Sequence, residues 1–129
     1  MDCDRLKILL VEDNIVVSLF ESGLLVRSGY DVIAVTSGEA AIGFMKNGVE
    51  IDLVLMDVDL GDGMSGIEAA SLITEMYHVP LIFYTDHDEP DLFFPGTDIK
   101  RFGYISKMAS KSDVINVIND AVFSGKFKK

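Results

Sequence analysis

Residues 6–14 read LKILLVEDN: six residues of mostly apolar chain, stopped abruptly by two acids and an asparagine. A short run that does not alternate suits a strand buried on both faces, as in the middle of a parallel sheet. Four further runs follow at regular spacing. They are residues 31–35 (DVIAV), 52–56 (DLVLM, closed by Asp57), 80–84 (PLIFY, closed by Thr85 and Asp86) and 102–105 (FGYI). The third and fourth are nearly as continuous as the first.

Helical patterns fill the intervals. Asn14 is placed as the N-cap of a helix over residues 15–28, with Gly29 just past its end. Thr36 and Glu39 read as a capping box opening a helix toward Lys46. Ser65 and Glu68 repeat that signature ahead of Ile67, Ala70, Ile73 and Met76. In the last segment Val114, Val117, Ile118 and Ala121 follow the i, i+3, i+4, i+7 rule, with Ser110 as N-cap. A strand–helix unit repeated five times predicts an α/β fold, a doubly wound parallel sheet with right-handed crossovers. The fourth helix is expected to be short or irregular. Pro90 is tolerable in a first turn, but Pro95 is not tolerable inside a helix and also pushes Phe94 away from helical geometry. So short an element cannot bury both Phe93 and Phe94, and an exposed ring there would be an anchor for a partner or a second copy.

The chain has 129 residues, the size of one domain, and is expected to be a single unit with its core over residues 5–124 and a tail at 125–129. No linker or internal repeat interrupts it. Acids outnumber bases 21 to 11, a net charge of −10. That field repels phosphate backbones and anionic lipid, so neither nucleic acid nor membrane is an expected partner, while a cation site is invited. The lone Cys3 excludes an intrachain disulfide or a cysteine zinc site. The acidic start does not read as a secretory signal and no apolar run reaches bilayer length, so the expected location is cytoplasmic.

Ligands of open α/β sheets bind beyond the carboxyl ends of the strands, where strand order reverses. Glu12 and Asp13 follow the first strand, Asp57 ends the third, Thr85 ends the fourth and Lys107 follows the fifth. With strand order 2-1-3-4-5, Asp13 and Asp57 face each other across the switch point, and Lys107 is long enough to reach back. Converging carboxylates repel one another unless a cation is present, and hard oxygen donors with open positions suit Mg²⁺. A hydroxyl and an ammonium beside them would stabilise a phosphoryl group. A carboxylate nucleophile in such company is a phosphoryl-transfer constellation with an aspartyl-phosphate intermediate.

Five motifs, LLVEDN (9–14), LVLMDVDL (53–60), MSGIEAA (64–70), LIFYT (81–85) and GYISK (103–107), make the whole chain resemble the receiver domain of two-component response regulators, of the chemotaxis-regulator type. The resemblance implies the flavodoxin-like (βα)5 fold. It implies that Asp57 accepts a phosphoryl group from the phosphohistidine of a sensor histidine kinase or phosphotransfer protein. Asp13 and Asp57 would hold Mg²⁺ or Mn²⁺, with the backbone carbonyl of Asp59 as a third ligand and Glu12 acting mostly through water. Thr85 and Lys107 would contact the phosphoryl group, and Thr85 and Tyr104 would form the switch that alters a surface for a downstream protein or output domain. Asp59, Asp86 and His87 stand where relatives tune the rate of dephosphorylation. Such a protein hydrolyses its own phosphoryl group slowly and is not a turnover enzyme.

The sequence departs from that pattern in three places. Asp86 stands where a small residue is usual, Met108 stands where proline usually follows the lysine, and the loop at residues 60–64 is one residue longer and lacks its proline. Two other readings follow from the residues. Asp57-Val58-Asp59 fits the DxD motif of haloacid-dehalogenase-type phosphatases, although there it lies on the first strand. A receiver-like interaction module that is never phosphorylated is the other.

Overall fold

The computed structural model describes residues 5–86 and 103–124. Cys3, His87, the segment expected to hold a short fourth helix with Phe93 and Phe94, and the tail at 125–129 lie outside the described residues. In chain order the elements are β1 (Lys7–Val11), α1 (Ile15–Arg27), β2 (Asp31–Val35), α2 (Gly38–Lys46), β3 (Leu53–Met56), α3 (Gly66–Met76), β4 (Leu81–Thr85), β5 (Gly103–Ser106) and α4 (Lys111–Ser124). The five strands form one parallel sheet in the order β2-β1-β3-β4-β5, as expected. The strands begin or end within one residue of the apolar runs.

The continuous runs are the inner strands. β3 and β4 are buried throughout and β1 from its second residue on, whereas the edge strands β2 and β5 are only partly covered. Two apolar layers result. On one face Leu9, Val11, Val54, Met56, Leu81 and Phe83 pack under α2 and α3. On the other Ile8, Leu10, Leu53, Leu55, Ile82 and Tyr84 pack under α1 and α4.

Caps fix where the helices begin. The Asn14 side chain accepts from Val17 N at 3.1 Å, and the Ser110 hydroxyl accepts from Asp113 N at 3.1 Å. The Ser65–Glu68 box is complete, with reciprocal bonds of 3.1 Å. The box expected of Thr36 and Glu39 does not form. Ser37 is the N-cap, accepting from Ala40 N at 3.0 Å, because α2 begins one residue later, at Gly38. Glu39 is thereby freed, and its carboxylate accepts from Met64 N at 3.0 Å instead. Met76, grouped with the inner positions of α3, is half exposed at the end of that helix.

Helix α1 is turned unexpectedly. Ile15, Val16, Leu19, Phe20 and Val26 lie on its exposed side, while Ser18, Glu21 and Leu25 are buried. Only three residues separate β1 from α1, and two bonds tie them: Asn14 caps the helix and Asn14 N donates to Glu12 Oε2 at 3.2 Å. So short and braced a connection sets the rotation of the helix before its apolar residues can choose a side.

At the start of α3, Gly66 lies directly against the end of β3. Its N–H donates to the Val58 carbonyl at 2.9 Å, and a Cβ at this position would stand 1.9 Å from the Asp57 carbonyl oxygen. Only glycine permits that approach.

Candidate functional site

The registers Val11↔Met56 and Met56↔Phe83 bring the ends of β1, β3 and β4 level. Glu12, Asp13 and Asp57 therefore emerge together at the carboxyl edge of the sheet. One carboxylate oxygen from each lies within 4.8 Å of the other two. Glu12 and Asp57 are buried and Asp13 is exposed, so the cluster opens to solvent on one side. The backbone holds both strand ends: Glu12 N donates to Val35 O at 3.1 Å and Asp57 N to Val11 O at 3.0 Å.

Lys107 reaches back from beyond β5, two strands away. Its Nζ is 2.5 Å from Glu12 Oε1 and 3.3 Å from Asp57 Oδ2. Its own N–H donates to the Thr85 carbonyl at 2.9 Å, fixing the start of the turn that carries it. Thr85 is almost wholly buried at the end of β4, one strand beyond Asp57. Asp59 and Asp86 are exposed, and the Asp59 N–H supports the Asp57 carboxylate. Tyr104 is half-buried and packs into the layer under α2 and α3.

Charge balance in the cluster favours a further cation. Burial first, and the negative charge of Glu12 second, push Asp57 up to about 6, although Lys107 partly offsets both through its charge and its hydrogen bond. For Lys107 itself burial works against the charged form. The hydrogen bond to Glu12 and the charges of Asp57, Glu12 and Glu21 outweigh it and hold the ammonium above its usual range. One ammonium thus does not neutralise the acids around it. Three convergent carboxylate oxygens, one side open, form a hard donor set that fits Mg²⁺ with several retained waters.

Two features were not expected from the sequence. Glu12 is paired directly with Lys107 through Oε1. Glu21, on the inner side of α1, is buried, and its Oε1 has no hydrogen-bond partner among the described residues. Burial raises its pKa to about 7, with Lys107 lowering it and Glu12, Asp57 and Asp86 raising it further. Tyr84 is also raised, by burial and then by Glu21. The sequence carried no signal for a buried Glu21, since Ser18, Glu21 and Ser22 form one polar stripe at i, i+3, i+4 spacing that could equally have faced solvent.

Comparison with known proteins agrees with this arrangement. A family profile described as "Response regulator receiver domain" matches residues 8–119. The CAI-1 autoinducer sensor kinase/phosphatase CqsS of Vibrio cholerae is 35% identical over 116 residues, which is 87% of this chain and 17% of that protein. The transcriptional regulatory protein PdtaR of Mycobacterium tuberculosis is 31% identical over 122 residues, 90% of this chain and 56% of that protein. The chain thus spans little more than half, or much less, of these curated relatives. Among solved structures, the N-terminal domain of a response regulator/sensory box/GGDEF 3-domain protein from Carboxydothermus hydrogenoformans superposes with a TM-score of 0.82 at 32% identity, covering 92% of this chain and 95% of that one.

Proposed function

Because the chain belongs to the response regulator receiver domain family, we propose that Asp57 is its phosphoacceptor, in a pocket that binds Mg²⁺ or Mn²⁺. The observation that carries this reading is the placement of a buried Asp57 between two further carboxylates and the Lys107 ammonium. An Asp57 Oδ attacks the phosphorus of a phosphohistidine. The new O–P bond forms as the N–P bond breaks, and the imidazole leaves to take up a proton. Glu12, Asp13 and Asp57, together with the Asp59 carbonyl, would hold the cation, which would supply charge neutralisation to the transferring group. Lys107 and Thr85 stabilise the phosphoryl oxygens. Lys107 must then leave Glu12 at least in part, and that exchange is what Thr85 and Tyr104 relay to the surface.

The family is not a classical enzyme family. Loss of the phosphoryl group is proposed to be slow self-hydrolysis, tuned by Asp59, Asp86 and His87. The donor is proposed to be a sensor histidine kinase or phosphotransfer protein, and the reaction to take place in the cytoplasm. The recipient of the signal is a downstream protein or output domain. Residues 5–124 form the working unit as a single domain. No described helix is long and apolar enough to cross a membrane. A protein donor must cover the rim of the pocket, and the apolar side of α1 begins at Ile15, two residues beyond Asp13. Val16, Leu19 and Phe20, each more than two-thirds exposed, offer it a ready contact.

The test is Mg²⁺-dependent labelling by acetyl phosphate. Wild-type protein is expected to acquire an acid-stable, alkali-labile phosphoryl group, and Asp57→Asn to acquire none. Equal labelling of the two would place the acceptor elsewhere and refute the assignment, whereas no labelling of either would leave the unphosphorylated interaction module as the better reading.

A further inference from the structure

The loop after the phosphoacceptor strand, residues 60–64, is braced at both ends by groups from other parts of the chain. At one end Gly61 lies so close to the pocket that a Cβ on it would stand 3.0 Å from Asp13 Oδ2. At the other, the Met64 N–H donates to Glu39 Oε2 at 3.0 Å, and a Cβ on Gly63 would stand 2.9 Å from the same oxygen. Gly61 and Gly63 adopt φ of 70° and 89°, left-handed values that favour glycine. The Met64 side chain completes the contact with α2, since a Cβ on Gly38 would meet its Sδ at 3.4 Å. The loop thus runs close beside a pocket carboxylate at one end and is hydrogen-bonded to the first turn of α2 at the other.

We propose that Glu39 is a positioning residue for the cation pocket: it latches the loop that fixes the Asp13 carboxylate and carries the chain on from Asp59. The proposal rests on the reading of the pocket as a divalent-cation site. A loop with two glycines among residues 60–64 has many conformations to lose, so it will not hold one shape without an external restraint. Glu39 is that restraint, and its carboxylate is well suited to the role. It accepts from its own backbone N–H and from that of Met64, which together hold it below the usual carboxylate range. Glu39 is exposed and lies outside the acidic cluster, so it acts on the pocket only through the loop. With the latch open, the loop is free to shift at Gly61, beside Asp13 Oδ2, and the three oxygens lose part of their preorganisation.

Glu39→Ala and Glu39→Gln separate a positioning role from a merely structural one, because glutamine keeps an acceptor oxygen and alanine does not. In metal-free protein the Met64 amide is expected to lose protection from hydrogen exchange and to shift upfield in Glu39→Ala, and to stay near its wild-type position in Glu39→Gln. Mg²⁺ titration followed by NMR is expected to show affinity about tenfold weaker in Glu39→Ala, the low end for loss of an outer partner. Glutamine should recover most of that loss. Wild-type affinity in Glu39→Ala, equal weakening in both variants, or an unchanged Met64 amide would each overturn the proposal. If wild-type protein itself binds no Mg²⁺, the pocket reading fails and the proposal with it, an outcome distinct from failure of the latch alone.

Discussion

Glu21 makes the stability of this protein depend on pH in a direction opposite to that of most carboxylates. In the folded state its pKa stands at about 7, against an ordinary 4.5. The folded protein therefore holds this proton more tightly than the unfolded chain does. The stabilisation is fully present below pH 4.5 and is lost as pH rises through 7. At about 1.4 kcal/mol per pH unit the displacement amounts to about 3 kcal/mol, and partial hydration of the carboxyl reduces it to about 2 kcal/mol. Glu21→Gln removes the titration while keeping the shape. Urea unfolding of the two proteins, followed by far-ultraviolet circular dichroism from pH 5 to 8, should give a difference that grows with pH in favour of the glutamine variant, by about 2 kcal/mol in all. Glu21→Leu should gain as well at pH 8, since it removes a buried oxygen that lacks a partner. A difference between wild type and Glu21→Gln that stays flat across this range would show that the carboxyl is solvated and the reasoning wrong.

Lys107→Ala should retain Mg²⁺ binding, because the three carboxylates remain, yet the cation or beryllium fluoride should no longer produce the wild-type response in tyrosine fluorescence. An intact response would remove Lys107 from the switch. Asp86→Ala should be labelled faster than wild type by acetyl phosphate at low salt, since an exposed negative charge beside Thr85 repels an anionic donor, and added salt should narrow the gap. Equal rates at low ionic strength would place the Asp86 charge outside the donor's approach.

The apolar runs at β1, β3 and β4 were legible because an inner parallel strand needs no alternation, and their polar ends marked the pocket. Asp57, Asp13 and Lys107 followed from those ends and from the reach of one long side chain. What stayed hidden depended on rotation about a helix axis. Residues 15–27 are apolar over most of the helix surface, so spacing alone does not decide which side of α1 packs inward. The braced Glu12–Asn14 connection turned Ile15, Leu19 and Phe20 outward and Glu21 inward. The α2 cap failed by a single residue, since Thr36 and Ser37 are both competent caps, and this displaced Glu39 from its expected box to the loop at Met64.

The contact between Gly66 and the Asp57 carbonyl has a mechanical consequence. Where side chains separate two elements, a small displacement can be absorbed by a change of rotamer. Here backbone abuts backbone, with no rotamer between them and a hydrogen bond from Gly66 N to Val58 O holding the joint closed. Helix α3, 11 residues and about 16 Å long, stands on that joint like a rod on a fixed bearing. A shift of a few tenths of an ångström in the peptide of Asp57 therefore meets the first turn of α3 directly, with no side chain to absorb it.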